Sequence, residues 1–366
     1  MSRCARIKNH PDEPGFFHVV CRTVGKAFLF EDEAEKRRLL LWLDKAVEFC
    51  GVDLQAWCIM SNHIHLLLKV PPRQEVSDAE LDRRMRVLYL PHRYNSLMAQ
   101  WESWRKQDKS EIRIEAAKAK LRRRMYDISW FMKTFKQAVA QDYNARHEHS
   151  GSIWGGGRFK SVYLEGTRHV LLAVAAYIHL NPVRAKIVSS AERYLWSSWG
   201  EACAHPCRSR DGLLRLYDGI TPKKSVAWPF LQEQLEDIQA RVTSQRRALE
   251  AFATTVSTPQ LPPAAEKCQN YLAGHHPPSK PTTSVPIVQK LAARVPALSS
   301  SRVLGSNAFV EKYMRPLDAR RSPQRSHQHL LAVGSYGNTI LSTLGNRSLG
   351  RSCVAYTRAL TSGANP

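Results

Sequence analysis

Hydrophobic and polar positions change period several times along the chain, and each change marks an element. Phe16 to Thr23 is an apolar run rich in β-branched and aromatic residues, which predicts a strand. Asp32 and Glu35 have the spacing of a helix-start capping pair. Leucines, Trp42 and Val47 then recur at helical spacing, and Gly51 is placed to stop the helix. Asp53 to Met60 predicts a second strand, Ser61-Asn62 a tight turn, and His63 to Val70 a third strand closed by Pro71-Pro72.

Residues 73 to 127 read differently. Ser77 and Glu80 form a second capping pair, and Ala79–Tyr89 and Glu111–Arg124 are charged and helix-prone, so this stretch is a helical insertion. Its cluster Arg122-Arg123-Arg124 either faces nucleic acid or is a solvated helical face. A stronger helix runs from Ile128 to His147, with Phe131, Phe135 and Val139 on one side. Gly155-Gly156-Gly157 is a flexible connection to a fourth strand, Phe159 to Leu164. Gly166-Thr167 starts a last helix through Val170, Leu171, Val174 and Ile178, which Pro182 ends near Asn181.

The first six elements have the ferredoxin-like βαββαβ order, an α+β plan, with a helical insertion and a further helix after it. Many functions share that plan, so it carries no chemistry by itself. The core is expected to span residues 1–225. Residues 226–252 read as a helical extension and 253–300 as a Pro/Ser-rich linker. In 301–366, Val303 to Tyr313 reads as a small helix. After Asp318 there is no acidic residue and no helical or strand period, so a partly disordered tail is expected.

Composition narrows the partner. The chain has 54 Lys+Arg against 32 Asp+Glu, a net charge of +22, which favours a polyanion, nucleic acid being the usual one. Charge does not separate DNA from RNA. No run of about 18 apolar residues predicts a membrane span. Met1 to Gly15 lacks the apolar core of a signal peptide, so a cytoplasmic protein is expected. The eight scattered cysteines fit a reducing compartment. Cys203-Ala204-His205-Pro206-Cys207 is local enough to consider a metal, but with no second pair at zinc spacing it reads as a loop.

The candidate chemistry lies on the third strand and the last helix. His63 and His65, two apart on a strand, share one face, while Ile64, Leu66 and Leu68 take the other. The pair alone leaves two readings open: a polar sheet face, or two imidazoles sharing a divalent cation. Tyr177 and Asn181 are four apart and share a helical face. They are either a core aromatic and a helix cap, or a nucleophile and a third ligand if that helix crosses the histidine face.

Four segments in order then resemble one family. They are Ala56 to Leu67, Gly151-Ser152-Ile153-Trp154 with Arg158-Phe159-Lys160-Ser161, Tyr177 to Ala185, and Tyr194-Leu195-Trp196-Ser197-Ser198. Together they are similar to the HUH-type single-tyrosine insertion-sequence transposases, closest to the branch associated with repetitive extragenic palindromes. The resemblance spans residues 16 to 200. It implies a DNA transposase that nicks and rejoins single-stranded, hairpin-forming DNA. His63, His65 and Asn181 would hold Mg²⁺ or Mn²⁺, and Tyr177 would form a 5′-phosphotyrosine. Tyr143 is the competing tyrosine on the earlier helix. Arg158 and Lys160 are candidate phosphate contacts, followed by Lys133, Lys136 and Arg184. Relatives imply either a homodimer that shares domains or a monomer. Two other readings stay open: a non-catalytic ferredoxin-like nucleic-acid-binding protein, and an inactive transposase relic.

Overall fold

The computed structural model describes residues 7–107, 110–156 and 159–218, with stretches between 228 and 244, 303 and 313, and 330 and 344. Its centre is a sheet of β1 (Gly15–Arg22), β2 (Asp53–Met60), β3 (His63–Val70) and β4 (Lys160–Leu164) in the order β2-β3-β1-β4. All three neighbouring pairs are antiparallel. With α1 (Glu33–Cys50) crossing from β1 to β2, and α5 (Ile128–Arg146) from β3 to β4, this is the expected ferredoxin-like topology.

Helix α1 forms where the period predicts it. Leu39, Trp42, Leu43, Ala46, Val47 and Cys50 are buried on one stripe, and Gly51 closes the helix at φ 63°. Asp32 caps the start by accepting from Ala34 N at 2.7 Å. Glu35 is not its reciprocal partner. Its carboxylate instead accepts from both Arg146 Nη atoms and pairs with His147, which ties α1 to the end of α5.

The insertion holds three helices, α2 (Asp78–Leu88), α3 (Pro91–Arg105) and α4 (Ser110–Arg122). Ser77 caps α2 as expected, accepting from Glu80 N at 3.2 Å. Helix α3 was not evident in the period; its burial rests on Tyr94 and Trp101, which tertiary packing selects.

Two apolar layers sandwich the sheet. On one side Phe17, Val19 and Cys21 of β1 and Ile64, Leu66 and Leu68 of β3 meet α1, α5 and the insertion. On the other side lies α6 (Arg168–His179), buried from Val170 to Ile178. A helix apolar all round must be covered on both faces. Here α9 (Arg208–Asp218) packs on α6 and, with α8 (Ser198–Ala204), on β2. Among the described residues of the expected helical extension, Trp228, Leu231 and Leu235 are buried in this same layer.

Parts of two of the resembling segments, 194–198 and Trp154, hold the fold together. Tyr194 Oη donates to Ile59 O at 2.7 Å, Ile59 N donates to Trp196 O, and Ser197 bridges Cys58. This segment therefore covers the free edge of β2. Trp154 bridges Thr23 and donates its ring N–H to Lys136 O at 2.9 Å.

Helix α6 stops at His179, and a short helix α7 (Asn181–Arg184) carries the chain on through Pro182. Proline is tolerated there because it lies in the first turn, where its missing N–H leaves no bond unmade.

The C-terminal expectations need correcting. Val303–Gly305 is a strand, β5, parallel to β4, and the small helix expected there begins only after it, with residues 308–310 and 312–313 helical. Beyond Asp318, β6 (Leu330–Tyr336) and β7 (Thr339–Leu344) extend the sheet as an antiparallel pair beside β5. Their Gly, Ser and Thr content hides the alternation that would have announced them. The expected linker at 253–300 and the end of the tail from 345 lie outside the described residues. No helix among the described residues is long and apolar enough to cross a membrane.

Candidate functional site

The site starts on β3. Its period-two geometry puts His63 and His65 on the face toward α6, and that face is covered. His63 is 9% exposed and His65 is 3% exposed, so this polar face of the sheet is buried.

Strand β1 adds a third imidazole. His18 is fully buried and lies opposite Leu67, while His65 lies opposite Val20. The two histidines are therefore diagonal neighbours across the ladder. His18 Nε2 is 3.0 Å from His65 Nδ1, and the rings stack with centroids 5.2 Å apart. Sequence reasoning missed His18. The available signal was its alternation with Phe17, Val19 and Cys21, but only the β1–β3 register reveals its partner.

The protonation pattern follows from these contacts. Asn62 Nδ2 donates to Lys26 O at 3.1 Å, which orients the amide so that its oxygen meets His63 Nδ1 at 2.7 Å. That oxygen only accepts, so His63 Nδ1 carries a proton. Burial holds the His65 pKa well below the usual histidine range, reinforced by His18, His63, Arg184 and Arg22. His65 is thus a neutral imidazole, the form that ligates metals.

Helix α6 brings Tyr177 onto this face. Its ring centroid is 5.9 Å from His65 and 5.7 Å from His18, edge-on to both, and the side chain is 2% exposed. The Arg184 guanidinium lies 4.2 Å from the Tyr177 ring centroid and donates to Tyr177 O at 2.8 Å.

Asn181 is fastened to the same turn. Its Nδ2 donates to Tyr177 O at 3.1 Å and Ile178 O at 3.0 Å, and its Oδ1 accepts from Arg184 at 2.9 Å. It therefore caps carbonyls left open where α6 breaks, one of the two roles its position in the sequence allows. Two imidazoles with engaged Nδ1 atoms suit a divalent cation, since ligating histidines are normally held through their other nitrogen. The Asn181 oxygen is engaged by Arg184.

The rest of the α6 end is anchored from behind. His179 is fully buried, with its pKa pushed down to about 3 by desolvation, and its Nε2 is 2.9 Å from Ser198 Oγ. Ser198 Oγ also accepts from Trp57 N at 2.9 Å, which links α6, α8 and β2.

The basic candidates separate. Lys160 is exposed at the start of β4 and lies opposite Val20, which on its other side lies opposite His65. Paired residues share a face, so Lys160 sits on the histidine side of the sheet, two strand spacings from His65 or about 10 Å. Lys133 and Lys136 belong to α5, in the opposite layer. Lys133 lies over the Trp130 ring, and Lys136 is buried over the Trp154 ring. Tyr143 is also on α5, stacked on His147 at 4.1 Å. Arg158 lies outside the described residues.

Among known proteins, no curated protein matches the chain. A solved structure of a REP-associated tyrosine transposase bound to a REP hairpin aligns at 15% identity, over 56% of this chain and 89% of that one. Its TM-score of 0.32 is too low to establish a common fold. The family model described as "Transposase IS200 like" matches residues 15–80, a span that contains His18, His63 and His65 and ends before Tyr177. Residues 15–80 of the chain are thus similar to the IS200-like transposase family.

Proposed function

We propose that the chain is a transposase that nicks and rejoins single-stranded, hairpin-forming DNA through Tyr177. One observation carries the reading: Tyr177 stands 5.9 Å from the His65 ring, on the sheet face where His63 and His65 converge, while Tyr143 lies in the opposite layer. The net charge of +22 and the exposed Lys160 on the same face suit a phosphate backbone.

In this reading His63 and His65 hold a divalent ion, Mg²⁺ or Mn²⁺, with Asn181 as third ligand. Such an ion, when bound, supplies charge stabilisation at the scissile phosphodiester. Tyr177 Oη attacks phosphorus and gives up its proton. The bond from phosphorus to the 3′ oxygen breaks, that oxygen leaves as a 3′-hydroxyl, and the 5′ side stays on Tyr177 as a phosphotyrosine. Attack by another strand's 3′-hydroxyl reverses the step, so no nucleotide triphosphate is consumed. Arg184 covers the Tyr177 ring and must shift for a strand to reach it; an incoming phosphate offers the guanidinium a better partner than two neutral oxygens.

Incubation of the full chain with labelled single-stranded hairpin DNA and Mn²⁺ tests this. A covalent protein–DNA adduct is expected in the wild type and in Tyr143→Phe, and none in Tyr177→Phe. An adduct that persists in Tyr177→Phe overturns the assignment. Tight hairpin binding without any adduct would favour a binding module or an inactive relic.

A further inference from the structure

The corner between α8 and α9 gathers three donors of different chemistry, away from the histidine–tyrosine site. Glu201 and His205 are four residues apart, on and just after α8, and Cys207 immediately precedes α9. A carboxylate oxygen, an imidazole nitrogen and the Cys207 Sγ lie within 4.8 Å of one another. Glu201 and Cys207 are half-buried, and His205 is exposed, so the cluster opens to solvent on one side.

The carboxylate is held in place from the core. Ser209 Oγ donates to Glu201 Oε2, and accepts from the indole N–H of Trp57 at 3.0 Å. Trp57 is a buried residue of β2. Outer-shell hydrogen bonding of this kind is what orients a metal-binding carboxylate.

We propose that Glu201, His205 and Cys207 bind a Zn²⁺ ion, with water in the fourth position. A thiolate, an imidazole and one carboxylate make a borderline-soft set that suits Zn²⁺ over Mg²⁺ or Mn²⁺. Binding forms a Zn–S bond and releases the Cys207 proton. The ion staples the end of α8 to the start of α9. Ser198 at the head of α8 meets His179, and α9 packs on α6, so the staple braces the layer behind Tyr177. The site does not depend on the DNA-cleaving role of Tyr177.

The test is cobalt titration of the full chain carrying His63→Ala and His65→Ala, which removes the other imidazole pair. A sulfur-to-cobalt charge-transfer band is expected, bleached by one equivalent of Zn²⁺. Cys207→Ser should abolish it and Cys203→Ser should leave it. Ser209→Ala, which leaves all three ligands, should weaken Zn²⁺ binding by about 10–100-fold. Zn²⁺ should also raise the melting temperature of the parent but not of Cys207→Ser. Absence of the band in the parent, or its survival in Cys207→Ser, overturns the proposal.

Discussion

His18 Nε2 lies 3.0 Å from His65 Nδ1, diagonally across the β1–β3 ladder. The contact holds the ring of a proposed metal ligand through its Nδ1. His18→Ala is therefore expected to weaken Mn²⁺ binding by about 10–100-fold while leaving both ligands in place. His18→Gln, whose amide oxygen accepts from Nδ1–H, should recover part of the loss. Calorimetric titration reads both values; unchanged affinity in His18→Ala would remove His18 from the site.

The sheet and its flanking helices were largely legible because each element carries a clean period. β1, α1, β2, β3 and α5 agree with the sequence to within a residue or two. His63 and His65 were legible as a pair for the same reason. His18 was not, because a diagonal contact depends on a register that no single strand displays. Asn181 kept two readings, since the same residue caps an α6 break and faces Tyr177. Helix α3 and strands β5 to β7 were missed where local propensity is weak and partners far along the chain decide the outcome.

Arg184 and Asn181 act on metal binding in opposite senses. Asn181 Oδ1 accepts from Arg184, and the guanidinium is one of the charges that lower the His65 pKa. Arg184→Ala removes a nearby positive charge and frees the amide oxygen. Mn²⁺ affinity is expected to rise about tenfold in that variant, one unit of the coupling typical of close charges. Asn181→Ala added to it should cancel part of the gain. Strand nicking should fall in Arg184→Ala all the same if the guanidinium meets phosphate. A metal affinity that is indifferent to both substitutions would leave Asn181 as a helix cap alone.

Glu35 predicts a pH dependence of stability. Hydrogen bonding from Arg146 holds its pKa below the usual carboxylate range, against desolvation, with help from His147. A carboxylate depressed in the folded state stabilises fully above its unfolded pKa, and that contribution is lost as pH falls through the folded value. Glu35→Gln should therefore cost about 1–2 kcal/mol near pH 7, the low end for a charged pair because Arg146 is partly exposed. The gap between wild type and variant should shrink as pH falls below the ordinary carboxylate range and close as pH passes the depressed folded value. Urea unfolding across pH measures it, and a gap that stays constant on acidification would contradict the linkage.

Gly200 sets two effects against each other. It lies in the first turn of α8, where its N–H donates to Ser197 Oγ at 3.1 Å. Alanine in place of glycine would favour the helix by about 1 kcal/mol on propensity alone. A Cβ there, however, would stand 2.2 Å from Tyr194 O. That oxygen is backbone and cannot rotate aside. Its residue is pinned by Tyr194 Oη on Ile59 O and by the Ser197 Oγ bond to Tyr194 O. Relief requires α8 to lift or the 194–197 segment to leave the edge of β2. Either movement disturbs Ser198 and its contacts to Trp57 and His179. Overpacking of this kind costs about 1–3 kcal/mol, so sterics should outweigh propensity and Gly200→Ala should lower the urea midpoint. A raised midpoint would mean that propensity wins and that α8 does not approach the Tyr194 carbonyl so closely.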